Sequence, residues 1–510
     1  MSWQGLAEIA PRLSDPEVRF EKRKRLIGLW LGPSFLLACL VMPPLPEVTP
    51  VGMRTLGIFL WTVTWWVSEP IPIPATSLAS MAMLALFGVV SVDEAFAPWS
   101  HWVCIFLLGA CIIGHAMNVH GLTRRMAFGM ASSRFVGGSP WRLLLAFGLA
   151  SALMSSVMSH VVTTMIFVAI ASGMSKTFGF QPGSRYPEAL FLAIAWGSNM
   201  GVVTPVAAPT NLIAIGIAQN AGYRIGFLQW VLICLPVFVI MLAAMFLVVR
   251  YVLRPEMPDW GSSHALLGSQ ANALGALTRG EKVAGAVFAI AMAFWIVPDL
   301  FSLLLPGGRR HPAALWVTQH LDWSVTAILM AATLFLIPLN WKERRFAMTW
   351  AEAVKGVEWG TLSLIAAALG LGNTVAHKTL GLGGLFERAA ADIVSSSGQF
   401  VFVLTVVAFT VIVGSLISNL AIIGMVGALV PAVAPAAGVN PAALLVCVAI
   451  AANMDFALPV GTPPSAMVFA SGYVRISSMV KGGSILALLS IPLVATLGFY
   501  IANWILAEGR

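Results

Sequence analysis

The side chains best suited to bind an ion lie in the middle of two apolar stretches of this chain. The centre of residues 143–171 is crowded with hydroxyls and one imidazole: Ser155, Ser156, Ser159, His160, Thr163 and Thr164. Residues 188–218 are interrupted where Pro205 and Pro209 remove backbone donors and block helix continuation. In hydrocarbon, backbone groups freed in this way persist only where protein or a filled cavity satisfies them. The two stretches therefore predict a site for a small ion or solute at membrane depth.

The same pattern occurs a second time. The segment 414–420 echoes 155–161 with an offset of 259 residues, and the segment 452–465 echoes 198–211 with an offset of 254. Two echoes in the same order indicate an internal duplication, and paired Gly/Pro-interrupted apolar segments mark the binding site of many transporters. Kinked helices that merely pack are the alternative, but they do not require both elements to repeat together.

Composition places this site in a membrane. The 510 residues are 59% hydrophobic and only 10% charged, and the mean hydropathy is +0.88. Such a balance excludes a soluble domain and predicts an all-α polytopic membrane protein with the lipid bilayer as its surroundings. The net charge of +8 comes from basic residues in short loops, which are topology signals and no indication of a nucleic-acid partner. The five cysteines show no paired spacing, so no disulfide, metal centre or cofactor is expected.

Basic residues also predict the topology. Treating 143–171 and 399–432 as re-entrant helical hairpins leaves about 11 transmembrane helices: 26–42, 52–68, 71–90, 101–118, 188–218, 226–249, 283–304, 323–340, 358–376, 441–470 and 480–507. With a cytoplasmic N-terminus, 22 of the 29 Lys and Arg residues then lie on the inner side, as the positive-inside rule requires. The two hairpins enter from opposite faces, so the two halves are inverted relative to each other.

The predicted organisation is an inverted-repeat transporter fold in a cell membrane, with a bacterial inner membrane the expected location. It divides into a cytoplasmic N-terminal segment, the first repeat, a cytoplasmic linker and the second repeat: 1–25, 26–250, 251–282 and 283–510. Each repeat carries one hairpin and one broken helix, and tips that meet near the midplane suit alternating access. The first apolar run follows about 25 polar residues, so no cleavable signal peptide is expected.

Two kinds of binding chemistry are available at the tips and breaks. An anion needs donors, which helix N-termini provide as backbone N–H groups. The side-chain donors nearby are Ser159, His160, Ser418, Asn419 and Thr462. A sodium ion needs oxygens, which Ser156, Ser415 and the carbonyls of the two breaks provide. Each of these serines has a plainer interpretation, as a small residue that lets helices pack closely.

The whole pattern resembles the divalent anion/sodium symporter (DASS) family of dicarboxylate, citrate and sulfate carriers. The matching motifs are Glu69-Pro70-Ile71-Pro72, the two hairpin tips and the two breaks, of which the segment 458–464 (LPVGTPP) is the most specific. They cover nearly the whole chain. The resemblance implies a homodimer, elevator-type alternating access, sodium as the coupling ion, and a small di- or tricarboxylate held between the tips.

The resemblance also implies the site residues. The substrate would contact Ser159, His160, Val161, Ser418, Asn419, Leu420, Ala208, Pro209, Thr462 and Pro463. One sodium ion would bind at Ser156, His160, Val206 and Ala207, and the other at Ser415, Asn419, Val460 and Gly461.

Departures from the family pattern are concentrated at this site. The tips read Ser159-His160-Val161 and Ser418-Asn419-Leu420 where the family has Ser-Asn-Thr, so both threonine hydroxyls are absent. Asp455 stands where the family usually has a small apolar residue, and an acid inside a membrane is a functional candidate by default. His160 and Asp455 are therefore the candidates for ion coupling. His160 could be a fixed or titrating charge at the first cation site, a contact for a different anion, or a neutral core residue.

Other functions remain as alternatives. One is a proton-coupled, exchanging or exporting carrier for another anion, such as sulfate or a sulfonate, and another is an anion channel. Catalysis is not expected, because Ser159 and His160 are adjacent and point apart on a helix, and no metalloprotease-like motif is present.

Overall fold

The computed structural model describes residues 15–133, 136, 139–257, 273–306, 308, 311–459 and 461–507, and over these residues the chain is almost entirely helical. In chain order the helices are α1 (Asp15–Val41), α2 (Pro50–Ser68), α3 (Ile73–Leu86), α4 (Val92–Phe96), α5 (Trp102–Val119), α6 (Leu122–Ala131), α7 (Pro140–Ser155), α8 (His160–Thr177), α9 (Arg185–Met200), α10 (Pro209–Asn220), α11 (Phe227–Val248), α12 (Arg279–Leu304), α13 (Pro312–His320), α14 (Trp323–Leu336), α15 (Trp350–Gly356), α16 (Trp359–Val375), α17 (Leu382–Ser397), α18 (Gln399–Gly414), α19 (Asn419–Ala436), α20 (Pro441–Ala452), α21 (Pro463–Ala470), α22 (Ile476–Leu493) and α23 (Phe499–Ala507). Two short antiparallel strands, β1 (Pro338–Asn340) and β2 (Arg345–Phe346), lie between α14 and α15.

Every predicted span coincides with a helix or with a pair of helix fragments. Six helices of the described chain are long and apolar enough to cross a membrane, and a seventh span results if the bent pair α15 and α16 is counted as one. Several apolar helices are shorter than this. They are α3, α14, the first arm of each hairpin (α7 and α18) and the first part of the second broken helix (α20). The prediction of an all-α polytopic membrane protein is confirmed.

Both predicted hairpins are two helices joined by a short turn and packed against each other. The first begins with Pro140, whose fixed φ and missing donor suit the first position of a helix, after Ser139 as N-cap. It turns over Ser156–Ser159, and the second turns over Ser415–Ser418. In both turns the last serine occupies the N-cap position of the returning helix without a side-chain capping bond, with φ −49° and ψ 125° at Ser159 and φ −60° and ψ 136° at Ser418. The two tips therefore share one backbone geometry, as the duplication predicts.

The two broken helices exchange their second fragments between the repeats. Helix α9 packs on the first hairpin, and the fragment that follows its break, α10, packs on α19 and α20 of the second repeat. The reverse holds for α21, which follows the second break and packs on α8 and α9 of the first repeat. Helices α9 and α20 are almost completely buried. The centre of the molecule is thus made of both repeats.

A second group of helices lies beside this centre. Helix α5 packs against α12 and α14, while α16 packs against α3, α10 and α19. Helices such as α1 present large apolar side chains outward, among them Trp30 at 70% exposure, as a lipid-facing surface requires. This group touches the centre through α5 and α16.

Several short helices were not predicted. Helices α4, α6, α13, α15 and α17 lie between spans and are amphipathic or brief, so a search for long apolar runs misses them. The first helix begins at Asp15, which extends the first span into the charged N-terminal segment, where Arg25 donates a hydrogen bond to Glu21 at 2.5 Å. Part of the predicted linker, residues 258–272, lies outside the described residues.

The hairpin topology predicts which pairs of positions share a membrane face. We expect cysteines introduced at Arg142 and Lys176, at the two ends of the first hairpin, to react with an impermeant maleimide from the same side. Cysteines at Gln399 and Pro435 should react from the opposite side, because the second hairpin enters from there. Labelling of intact against opened cells measures this. Reaction of Arg142→Cys and Lys176→Cys from opposite faces would mean that residues 143–171 cross the membrane.

Candidate functional site

The first tip is bonded to the first break. The Thr204 hydroxyl donates a short hydrogen bond to the carbonyl of Ser156, and the Ser156 hydroxyl donates to the carbonyl of Ala152 at 2.8 Å. His160 is buried, with 8% of its surface exposed, and its ring interacts with the backbone of Ala207. Ser156, His160 and Ala207, three of the four residues predicted for the first cation site, therefore lie together.

The second tip is bonded to the second break in a matching way. The backbone N–H of Asn419 donates to the carbonyl of Gly461 at 3.1 Å. The Ser415 hydroxyl donates to the carbonyl of Val411 at 2.9 Å, which leaves its oxygen lone pairs free to accept. Asn419 and Gly461, two of the four residues predicted for the second cation site, are thereby in direct contact. Val460, the fourth predicted member of this set, lies outside the described residues.

Each break is held by an asparagine from the other repeat. The amide nitrogen of Asn199 donates to the carbonyl of Asp455 at 2.8 Å, to the Thr462 hydroxyl at 2.9 Å and to the Ser465 hydroxyl at 3.2 Å. In the opposite direction, the amide nitrogen of Asn453 donates to the Thr210 hydroxyl at 2.7 Å. Asn199 and Asn453 occupy equivalent positions in the duplication. The two breaks are thus bonded to each other across the pseudo-twofold axis that relates the two repeats.

Asn453 also connects the second tip to this centre. Its side-chain oxygen accepts a hydrogen bond from the amide of Asn419 at 3.2 Å. One asparagine therefore bonds both the second tip and Thr210, which follows the first break. The tips are joined through a continuous set of buried polar contacts, as convergence of the two hairpins requires.

Within the first break, one amide replaces the missing helical hydrogen bonds. Asn211 donates to the carbonyls of Val202 and Thr204 at 3.2 and 2.9 Å. The indole of Trp230 donates to the same Val202 carbonyl at 3.2 Å. Two backbone carbonyls of this irregular segment are satisfied in this way by protein, as a break inside an apolar span requires.

A cavity of about 120 Å³ lies between the first tip and the neighbouring group of helices. Ser159, Val206, Ala207 and Pro209 line one side of it. The other side is formed by α5 and α12 and the start of α16, with the polar residues Cys111, His115, Asn118 and Glu358. The cavity thus reaches the first half of the predicted site from the C-terminal end of α5, which the positive-inside rule predicts to be cytoplasmic.

The remaining predicted substrate contacts differ in exposure. Val161, Leu420, Pro209 and Ser418 are half-buried, Ala208 and Thr462 are buried, and Pro463 is exposed. Asp455 is 1% exposed and follows directly on the end of α20. Thr204, Thr210, Asn211 and Ser465 were not singled out from the sequence, although their places in the repeated break segments are a signal that points to them. Asn199 and Asn453 link helices of the two repeats.

The model of the protein family described as the sodium:sulfate symporter transmembrane region matches residues 24–507 of this chain. The chain belongs to this family.

Similar proteins cover almost the full length of the chain. The sodium-dependent dicarboxylate transporter SdcS of Staphylococcus saprophyticus is 29% identical over 490 residues, which cover 94% of this chain and 91% of that protein. SdcS of Staphylococcus aureus is 28% identical over 493 residues with the same coverage. The recognition of the family from the tips and breaks is confirmed.

Two solved structures have the same fold. MtrF of Neisseria gonorrhoeae, described as illuminating a class of antimetabolite efflux pumps, gives a TM-score of 0.56 at 12% identity and covers 88% of this chain and 97% of its own. The YdaH transporter of Alcanivorax borkumensis gives 0.54 at 14% identity and covers 91% and 99%. At these identities the likeness concerns the fold alone, which is that of a polytopic membrane transporter.

Cys111 offers a native probe of the cavity. It is half-buried and lines the cavity, whereas Cys39, Cys104, Cys234 and Cys447 are buried. We expect a small thiol reagent applied to right-side-out and inside-out vesicles to modify Cys111 from the cytoplasmic side and to inhibit transport, with Cys111→Ala as the resistant control. Modification that leaves transport of the native protein unchanged would show that the cavity is not on the path of the solute.

Proposed function

We propose that this chain is a secondary active transporter that couples the movement of small dicarboxylates to sodium ions. The observation that carries the proposal is the polarity of the site. The cavity at the first tip is lined by apolar side chains and by Ser159, Cys111, His115, Asn118 and Glu358, and none of its lining residues in the described chain is Lys or Arg. A dianion bound there needs positive charge from another source, because unpaired charges in an apolar medium are strongly disfavoured. Bound sodium ions supply that charge and make solute and ion binding interdependent.

The oxygens around the tips suit sodium in both repeats. At the first site, Ser156 and the break residues Val206 and Ala207 offer a hydroxyl and carbonyls, and at the second site Ser415 and Gly461 do so. Sodium ions in transporters of this architecture bind to unwound carbonyls and short polar side chains. The name of the SdcS relatives, sodium-dependent dicarboxylate transporters, supports the same ion and the same class of substrate.

Apolar tip residues restrict the choice of substrate. Val161 and Leu420 replace the threonines of the family pattern, so each tip offers one hydroxyl and backbone donors to the anion. We infer that the substrate is held mainly by Ser159, Ser418, Thr462 and the N-termini of α8 and α19, which attract carboxylates. Small dicarboxylates fit this set, and tricarboxylates belong to the same class.

Alternating access by an elevator motion is the mechanism we propose. The cavity lies at the contact between the hairpin-containing centre and the group that includes α5 and α12. Displacement of the centre along that contact would close the cavity on one side and expose the second tip on the other. The inverted repeat supports such a motion, because it provides equivalent openings toward both faces.

A second candidate is partial coupling to protons. The observation that favours it is His160, which occupies the place of Asn419 in the duplication and lies against Ala207. An imidazole there would contribute a charge when protonated and take the place of the first sodium ion.

Uptake into proteoliposomes tests these proposals. The purified protein is reconstituted and given labelled succinate, sulfate or a sulfonate, with sodium and proton gradients imposed separately. We expect an inward sodium gradient to drive succinate accumulation and its replacement by potassium to reduce the initial rate by about tenfold or more, as loss of roughly 1.4 kcal/mol of binding would do. Protein-free liposomes are the control. Equal rates in sodium and potassium would contradict sodium coupling, and uptake without counterflow of preloaded substrate would indicate a channel.

A further inference from the structure

The second break holds a buried carboxylate that makes no well-formed hydrogen bond within the described residues. Asp455 is 1% exposed, and within the described residues neither of its carboxylate oxygens has a hydrogen-bond partner. The Ser415 hydroxyl and the backbone of Ala457 and Leu458 face it without bonding in ordinary geometry. A buried charge left in this way is strongly disfavoured unless a counter-charge joins it.

The carboxylate of Asp455 packs directly against Gly461. A Cβ atom on Gly461 would lie 1.8 Å from the Oδ2 atom of Asp455 and 2.9 Å from the carbonyl oxygen of Gly414. The carboxylate, the last carbonyl of α18 and the break therefore meet at one point. Glycine is required at position 461 because any side chain there would displace the carboxylate.

The first repeat has no equivalent charge. Gly201 stands at the position that matches Asp455, and its α-carbon lies against Ser155 and the carbonyl of Ala152. A second pair that differs in its ionisable group is His160 with Asn419. Both substitutions make the two half-sites chemically different: the first has an imidazole, and the second has an acid.

The number of charges indicates which cation fits. No group of three or more His, Cys, Asp or Glu side chains that could hold a metal ion occurs in the described chain. Asp455 is thus one formal negative charge among neutral groups: the Ser415 hydroxyl, the Gly414 carbonyl and the backbone of Ala457 and Leu458. One carboxylate balances one monovalent cation, whereas calcium and zinc sites in proteins use several charged ligands.

We propose that Asp455 is an anionic ligand of the sodium ion at the second site, a ligand that the first site lacks. The inference rests on the sodium coupling proposed above and adds the order in which the sodium ions and the anionic substrate bind. A site with its own negative charge binds sodium without the anionic substrate, whereas a site of neutral oxygens depends on the anion for charge balance. The second site is therefore occupied first, and its sodium ion prepares the second tip for the anion through Asn419 and Gly461.

Sodium binding in the absence of substrate tests this inference. The full-length purified protein in nanodiscs is titrated with ²²Na⁺ by scintillation proximity at constant ionic strength. We expect saturable binding to the native protein and an affinity at least about tenfold weaker in Asp455→Asn, because the amide keeps the shape of the side chain but removes its negative charge. The matched control is Asp392→Asn, which removes an exposed carboxylate from α17 and should leave the affinity unchanged.

Two further outcomes keep the test decisive. If Asp455→Asn does not give monodisperse protein, Gly461→Ala replaces it, because the added methyl group displaces the carboxylate and should weaken sodium binding as well. Unchanged sodium affinity in the folded variant would overturn the inference, and the acid would then be neutral in the cycle. Sodium binding that depends on Asp455, together with sodium-independent transport, would instead overturn the proposed coupling and leave this site standing.

Discussion

The structure depends on the side-chain amides of two buried asparagines, each of which donates hydrogen bonds to the opposite repeat. Asn199 and Asn453 are equivalent in the duplication, and each donates hydrogen bonds to hydroxyls that follow the break of the opposite repeat. Such bonds contribute little when both partners can reach water, but an orphaned donor or acceptor in an apolar interior costs about 1–3 kcal/mol. The amides therefore fix the exchange of α10 and α21 between repeats, and with it the position of both hairpin tips.

This exchange explains why irregular backbone is tolerated at the centre of the molecule. Prolines free carbonyls in both breaks, and side chains such as Asn211 and Trp230 bind those of the first. The segments that remain extended are the ones placed beside the tips. Sites built in this way contain residues from both repeats, so motion of one half without the other would break the polar contacts that join them.

Much of the fold could be predicted from hydrophobic runs and from the repeat. Both hairpins, both breaks and all spans follow from apolar length, proline position and the matched echoes. Short amphipathic helices such as α6 and α17 were missed, because a few turns on a membrane surface leave no long apolar run. At the site, the tip residues could be identified, but the partners of Asn199 could not. Thr462 and Ser465 are about 260 residues away in sequence and meet it only because the fragments are exchanged. The close contact of the Asp455 carboxylate with Gly461 likewise depends on packing in three dimensions.

Unfolding of the two asparagine variants measures whether these buried amides hold the two repeats together. Asn199→Ala, Asn453→Ala and the double variant are compared in nanodiscs by reversible denaturation, with the exposed Asn503→Ala as the control. We expect the free energy of unfolding of each single variant to fall by about 1–3 kcal/mol, because buried hydroxyls are left unpaired. The double variant should lose less than the sum of the two, because both amides hold the same exchange and neighbouring sites are not additive. If the free energies of unfolding of the two asparagine variants stay within about 0.5 kcal/mol of the native value, as those of surface substitutions do, the amides do not hold the repeats together at the breaks.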